Sequence, residues 1–103
     1  MSMYDMANMK KLKSLGAKAP STWKGFLAFD EAARADGVIP KKYKELMAVA
    51  VALTTQCPYC IEIHKGEVLK AGATEGELAE TAFVAAALRA GGTVTHATHL
   101  ISD

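Results

Sequence analysis

Two cysteines and a histidine lie close together in one stretch of the chain, Cys57-Pro58-Tyr59-Cys60-Ile61-Glu62-Ile63-His64. Cysteines with this spacing suit a structural disulfide, a redox-active dithiol or half of a metal site. The thiolate is the nucleophilic form of cysteine, and a nearby imidazole can accept its proton or return it. The stretch therefore predicts thiol chemistry, with metal binding as an alternative.

The same stretch has the pattern of a helix start. Cys57 stands in the N-cap position, and Pro58 stands in the first helical position, where the missing N–H has no partner to lose. At about 100° per residue, Cys60 lies about 60° from Cys57 around the helix, and His64 lies between them. The thiols and the imidazole are therefore expected to share the packed face, where the helix dipole favours a thiolate.

One carboxylate on the preceding predicted helix is placed to serve the histidine. Glu45 lies beyond the first turn after Pro40, and its helical neighbours are apolar. If helices 41–54 and 58–71 fold back antiparallel, Glu45 comes near the level of His64 and can orient its ring. The alternative is an exposed glutamate that pairs with one of the adjacent lysines, Lys41, Lys42 or Lys44.

The elements that must position these residues are predicted to be helices. Apolar side chains recur at helical spacing, and glycines and capping residues separate the periodic segments. The predicted helices are 5–15, 21–37, 41–54, 58–71, 74–90 and a short last one within 93–103. Their predicted ends include Gly16, Gly37, Gly72 and Gly91-Gly92, and Thr74 to Glu77 form a capping box. The sequence predicts an all-α bundle of five to six helices, as a single domain over residues 1–103.

Composition describes a globular protein without a strong electrostatic partner. Half of the 103 residues are hydrophobic, 22% are charged, and the formal net charge is +1. The scattered lysines disfavour nucleic acid as a partner. The longest apolar run, Leu46 to Leu53, has eight residues, whereas a membrane helix needs about 20. We expect a cytoplasmic protein with no membrane partner, whose thin, alanine-rich helices associate as a homo-oligomer.

The spacing of the four polar residues resembles a family signature. The sequence has Glu45, then Cys57-Pro58-Tyr59-Cys60 beginning twelve residues later, and then His64. This pattern resembles the E-x11-C-x-x-C-x-x-x-H signature of the alkylhydroperoxidase D-like branch of the carboxymuconolactone decarboxylase family. The resemblance extends over nearly the whole chain, including the Ile39-Pro40 entry to the Glu45 helix. Tyr59 departs from it, because well-known members carry a histidine there. The paired cysteines, which the decarboxylase branch does not need, argue against lactone decarboxylation.

This resemblance implies an all-α subunit of a trimer or hexamer, with thiol peroxidase or disulfide reductase activity and no metal or organic cofactor. It implies that Cys60 attacks the peroxide and becomes a sulfenic acid, and that Cys57 donates a proton and then closes the disulfide. His64 and Glu45 would form a proton relay. A partner dithiol of the lipoyl or thioredoxin type would restore the reduced pair. In thioredoxin-like proteins, by contrast, the N-terminal cysteine of the pair attacks.

Three other interpretations stay open at the level of sequence. A zinc-binding structural module would use Cys57, Cys60 and His64, with a fourth ligand from His96, His99 or Glu45. Cys-Pro-Tyr-Cys is also the active-site tetrapeptide of many glutaredoxins, although that fold needs a strand directly before it. The third interpretation is a non-catalytic helical oligomer whose dithiol is vestigial or senses redox state.

Overall fold

The computed structural model describes residues 4–102, and helices dominate that part of the chain. A 3₁₀ helix, Met6–Lys11, precedes five α-helices, and a second 3₁₀ helix, Ala97–Leu100, follows them. The α-helices are α1 (Leu12–Lys18), α2 (Pro20–Arg34), α3 (Lys41–Thr55), α4 (Pro58–Lys70) and α5 (Glu75–His96). Between residues 4 and 102 there is no β-strand, so the predicted all-α class is confirmed. Asp103, the end of the predicted last helix, lies outside the described residues.

The predicted end of the first helix at Gly16 is wrong. The helix continues to Lys18, and Gly16 is its buried residue. A Cβ atom at this position would overlap the indole ring of Trp23. Gly16 is therefore a point of close approach between α1 and α2 rather than a helix terminator.

The bounds of α2 also differ from the prediction. The helix begins with Pro20 in its first turn rather than after Ser21, and it ends at Arg34 instead of reaching Gly37. The linker that follows holds the start of α3, because the Asp36 carboxylate accepts a hydrogen bond from the Lys41 backbone N–H at 2.6 Å. The bond satisfies one of the free N–H groups at the start of α3, whose N-cap residue, Pro40, supplies no side-chain cap.

A tight turn joins α3 to α4 and sets the position of the cysteines. Gln56 adopts a left-handed conformation with φ 56° and ends α3. The Cys57 N–H donates back to the Ala52 carbonyl at 3.1 Å, which is the closing bond of a Schellman motif. Cys57 then caps α4 and Pro58 starts it, as predicted.

Helix α5 starts as predicted and ends later than predicted. Thr74 and Glu77 form the reciprocal capping box, with bonds of 3.1 and 2.9 Å. The predicted end at Gly91-Gly92 is wrong, because the helix continues to His96. Glycine lowers helix stability by only about 1 kcal/mol relative to alanine, and the flanking helical residues outweigh that cost here.

The core lies where α3, α4 and α5 meet. Val49, Val68 and Ala73 are its buried residues, and three half-buried leucines pack around them, Leu46, Leu53 and Leu78. Helix α3 contacts α2, α4 and α5, and is thus the central helix of the described chain. No helix within residues 4–102 is long and apolar enough to cross a bilayer.

Candidate active site

The two cysteines lie together at the first turn of α4. Their Sγ atoms are 2.8 Å apart as free thiols, and the Cys60 N–H donates to Cys57 Sγ at 3.3 Å. Hydrogen bonds from the Cys60 thiol and N–H lower the pKa of Cys57. The same thiol contact and burial raise the pKa of Cys60. The contact therefore makes the two thiols unequal, with the pKa of Cys57 below and the pKa of Cys60 above the ordinary value of a thiol.

Glu45 and His64 form a hydrogen bond between α3 and α4. Glu45 Oε2 lies 3.0 Å from His64 Nδ1, and the Glu45 side chain has no exposed surface. Burial opposes ionisation, but hydrogen bonds and positive charge from His64 and Arg34 outweigh it and lower the pKa of Glu45. A carboxylate can only accept, so Nδ1 carries a hydrogen in this contact. In the neutral imidazole, Nε2 is then the acceptor.

Helix α4 brings the dithiol and this hydrogen-bonded pair together. His64 lies four residues after Cys60, and residues at that spacing are neighbours on one helix face. The structure thus places all four predicted residues, Glu45, Cys57, Cys60 and His64, at the α3–α4 contact. An imidazole one helical turn from a thiol, with Nδ1 bonded to a carboxylate and Nε2 as its acceptor, has the arrangement of a base that can move a proton to or from sulfur.

Sequence reasoning missed Arg34 at this site. Its Nη1 lies 3.3 Å from Glu45 Oε1, and its Nη2 lies 2.8 Å from Asp30 Oδ2. Lys41, one of the lysines proposed as a partner for an exposed Glu45, does lie 3.6 Å from Oε1, but Glu45 itself is buried. The four-residue spacing of Asp30 and Arg34 was the available signal, since such pairs form on one helix face. The spacing does not indicate a contact with Glu45.

Tyr59, between the cysteines, contacts the N-terminal segment. Its hydroxyl accepts a hydrogen bond from the Asn8 side chain at 2.9 Å, and its ring meets Tyr4 edge to face with 6.0 Å between centroids. This position, where the resemblance is weakest, therefore links the motif to the chain start. A histidine there would replace the phenol that makes these contacts.

The zinc interpretation requires a set of ligands that the described residues do not assemble. Within residues 4–102, no three His, Cys, Asp or Glu side chains are grouped as a metal ion needs. His96 ends α5 and His99 lies in the 3₁₀ helix that follows; both are exposed, and their ring centroids are 5.4 Å apart.

Comparison with known proteins places this fold and site in a family. A model of the carboxymuconolactone decarboxylase family matches residues 20–103. The chain belongs to the carboxymuconolactone decarboxylase family. The matched region contains all of α2 to α5, and with them Glu45, both cysteines and His64. The predicted family is thereby confirmed, and the paired cysteines are consistent with its alkylhydroperoxidase D-like branch.

Relatives of this family member share much of its length. It is 41% identical over 98 residues to "Uncharacterized protein 4 in cox locus" of Paracoccus denitrificans, covering 92% of this chain and 88% of the relative. It is 35% identical over 71 residues to an uncharacterized protein of Cupriavidus necator, covering 69% of this chain and 63% of the relative.

Two solved structures have the same fold. A carboxymuconolactone decarboxylase family protein from Legionella pneumophila, in its apo form, aligns with a TM-score of 0.74 at 36% identity, covering 87% of this chain and 80% of that one. A protein from Methanobacterium thermoautotrophicum aligns with a TM-score of 0.74 at 41% identity, covering 79% of this chain and 93% of that one.

Proposed function

We propose that this family member is a thiol-dependent peroxidase, or a disulfide reductase that uses the same Cys57–Cys60 dithiol, with Glu45 and His64 as the proton relay. The observation that carries the proposal is the 3.0 Å contact between a wholly buried carboxylate and His64, on the helix that begins with the paired thiols. A buried glutamate is costly to keep unless it has partners. Orienting a base beside a nucleophile is a function that accounts for that cost.

The oxidative half of the proposed cycle uses both elements of the site. His64 Nε2 takes the proton of Cys60, whose raised pKa makes a base necessary. The Cys60 thiolate attacks the terminal peroxide oxygen, the O–O bond breaks, and Cys60 becomes a sulfenic acid. The alkoxide leaves and takes the proton from His64, so that an alcohol is released. The thiolate loses the two electrons that the peroxide gains.

The reductive half returns the dithiol. Cys57 Sγ attacks the Cys60 sulfur, a disulfide forms, and the hydroxide that leaves becomes water after protonation. The resemblance implies that Cys57 is also a proton donor, and its lowered pKa eases that step. Cys57 gives its proton to His64, which is neutral again after the alcohol is released, and His64 passes this proton to the leaving hydroxide. A dithiol protein of the lipoyl or thioredoxin type would then reduce the disulfide by exchange. These steps need no metal or organic cofactor, and we place the cycle in a cytoplasmic homo-oligomer.

The rival assignment makes Cys57 the attacking thiol. Cys57 has the lower pKa and caps the helix, as the attacking cysteine of thioredoxin-like proteins does. We choose Cys60 because His64 is its neighbour one helical turn along the same face. The two assignments predict opposite results for the single cysteine variants.

The test is peroxide consumption by the purified protein with lipoyl, thioredoxin and glutathione donors in turn. We expect the wild type to turn over with a dithiol donor and Cys60→Ser to be inactive. Cys57→Ser should hold one oxygen atom on Cys60, detectable by intact mass after a single addition of peroxide. Oxidation of the remaining thiol in Cys60→Ser, together with none in Cys57→Ser, would make Cys57 the nucleophile.

The relay is tested by matched substitutions of histidine. His64→Gln should slow peroxide consumption by about 100-fold, since general acid–base catalysis contributes about 10²–10⁴-fold. His96→Gln, the same change at the exposed end of α5, should leave the rate unchanged. Equal rates in the two variants would remove His64 from the mechanism. If the wild type consumes no peroxide with any donor, the non-catalytic interpretation is the one that remains.

A further inference from the structure

Glu45 has partners from three helices, and two of these partners are cations. Its Oε2 accepts from His64 on α4, while its Oε1 lies 3.3 Å from Arg34 Nη1 on α2 and 3.6 Å from Lys41 Nζ on α3. On α5, Glu77 is paired with Lys42 at 2.9 Å. The two carboxylate oxygens of Glu45 therefore have separate partners, with the relay histidine on one and the cations on the other.

Arg34 is held in place by a second carboxylate. Its Nη2 lies 2.8 Å from Asp30 Oδ2, and its Nε lies 3.3 Å from both Asp30 oxygens. A guanidinium engaged through two of its nitrogens has a fixed plane, which leaves Nη1 directed at Glu45. Asp30 and Arg34 are one turn apart at the C-terminal end of α2, so this end of the helix aims a fixed donor at the buried carboxylate.

We propose that Arg34, held by Asp30, is a positioning residue of the relay that keeps Glu45 ionised and its Oε2 directed at His64. This inference rests on the proposed function. A buried carboxylic acid without a cation takes up a proton, and a protonated Glu45 no longer requires Nδ1 of His64 to carry the hydrogen. The base would then lose the tautomer that leaves Nε2 free for the thiols.

Lys41 does not replace Arg34 in this role. Its ammonium is farther from Glu45 at 3.6 Å, and 42% of its side chain is exposed, where water screens the charge. Lysine is also a point charge on a flexible stem, whereas the arginine fork fixes direction as well as charge. Arg34 therefore provides the directional contact, and Lys41 adds a weaker attraction.

The experiment compares three variants of the full-length protein, Arg34→Gln, Arg34→Lys and Arg89→Gln. The last makes the same change of charge on an exposed face of α5. Carbon-13 NMR follows the Glu45 carboxyl, identified as the resonance absent from Glu45→Gln. We expect Arg34→Gln to raise the pKa of Glu45 and to move the acidic limb of the peroxide-consumption profile to higher pH, with an intermediate effect in Arg34→Lys and none in Arg89→Gln.

The two readouts separate this inference from the proposed function. An unchanged Glu45 titration in Arg34→Gln would overturn the role of Arg34 even if the peroxidase reaction is found. A shifted titration in a protein that consumes no peroxide would reject the peroxidase and leave Arg34 as the residue that keeps Glu45 charged. If Arg34→Gln does not fold, Arg34→Lys decides, because it keeps the charge and loses the fork: a titration identical to the wild type in that variant overturns the positioning role.

Discussion

Glu45 combines a charge with complete burial, and its partners come from two neighbouring helices. Its apolar helical neighbours and an antiparallel turn across residues 54–56 predicted a contact with His64, with an exposed glutamate paired to a lysine as the alternative. Arg34 was not predictable in the same way. Its contact with Glu45 depends on how α2 packs across α3, and no sequence pattern in either helix encodes that crossing.

Replacing Glu45 by glutamine should destabilise the protein in a pH-dependent way. The pKa of Glu45 is lowered in the folded state, so its ionised form adds stability above the pKa of the unfolded chain. That contribution is lost as pH falls through the folded pKa. We expect Glu45→Gln to cost about 2 kcal/mol near neutral pH, the scale of a hydrogen bond to a charged group, and progressively less in acid.

Urea unfolding at a series of pH values measures this effect. Glu80→Gln, the same substitution at an exposed position of α5, serves as the control and should differ little from the wild type throughout. A Glu45→Gln deficit that stays constant from neutral pH into acid would mean that its cost comes from packing and not from the carboxylate charge.

At the scale of elements, capping residues were better guides than glycines. Cys57 with Pro58, and Thr74 with Glu77, start α4 and α5 as predicted because side-chain caps act locally. Gly16 and Gly91-Gly92 misled the prediction, since a glycine ends a helix only where the backbone takes a left-handed turn. Within residues 4–102, Gly72 is the only glycine with positive φ, at 92°, and it does follow a helix end.

Gln56 occupies a left-handed position that favours glycine. A φ of 56° costs a residue with a side chain about 1–2 kcal/mol. Glycine avoids this cost but loses more conformational entropy on folding, so the net gain from glycine is smaller. We expect Gln56→Gly to raise stability by about 0.5 kcal/mol. Thr55→Gly, one residue earlier in α3, should lower it by about 0.5–1 kcal/mol. Thermal and urea unfolding measure the stability of the two variants. If Gln56→Gly is also destabilised, contacts of the Gln56 side chain outweigh the cost of its left-handed backbone conformation.

At the scale of the whole molecule, the single chain is unusually open. Its radius of gyration is 17.1 Å and its extents are 55 × 33 × 33 Å, whereas about 13 Å is typical of a compact domain of this size. One face between α3 and α5 exposes large apolar side chains, with 60% of Val51 and 70% of Leu88 accessible. The apolar run of α3, Leu46 to Leu53, lies partly on this face, and one chain does not cover it.

We therefore expect the protein to associate through this α3–α5 face. Val51→Lys combined with Leu88→Lys should shift the sedimenting mass from an assembly towards a single chain, because charges on both helices oppose burial of the face. Glu62→Lys, on the exposed side of α4, should leave the assembly intact. A wild type that sediments as one chain would contradict the predicted homo-oligomer. The trimer or hexamer and the single domain stay predictions.

The close contact of Gly16 with the Trp23 indole gives the protein an internal spectroscopic reporter. Trp23 is the single tryptophan in the chain, and its ring lies in the α1–α2 hairpin rather than at the dithiol. Its fluorescence consequently follows the closing and opening of that hairpin. The redox state of Cys57 and Cys60 is followed separately, by titration of the free thiols. One sample can thus report the state of the N-terminal hairpin and the redox state of α4 on independent channels.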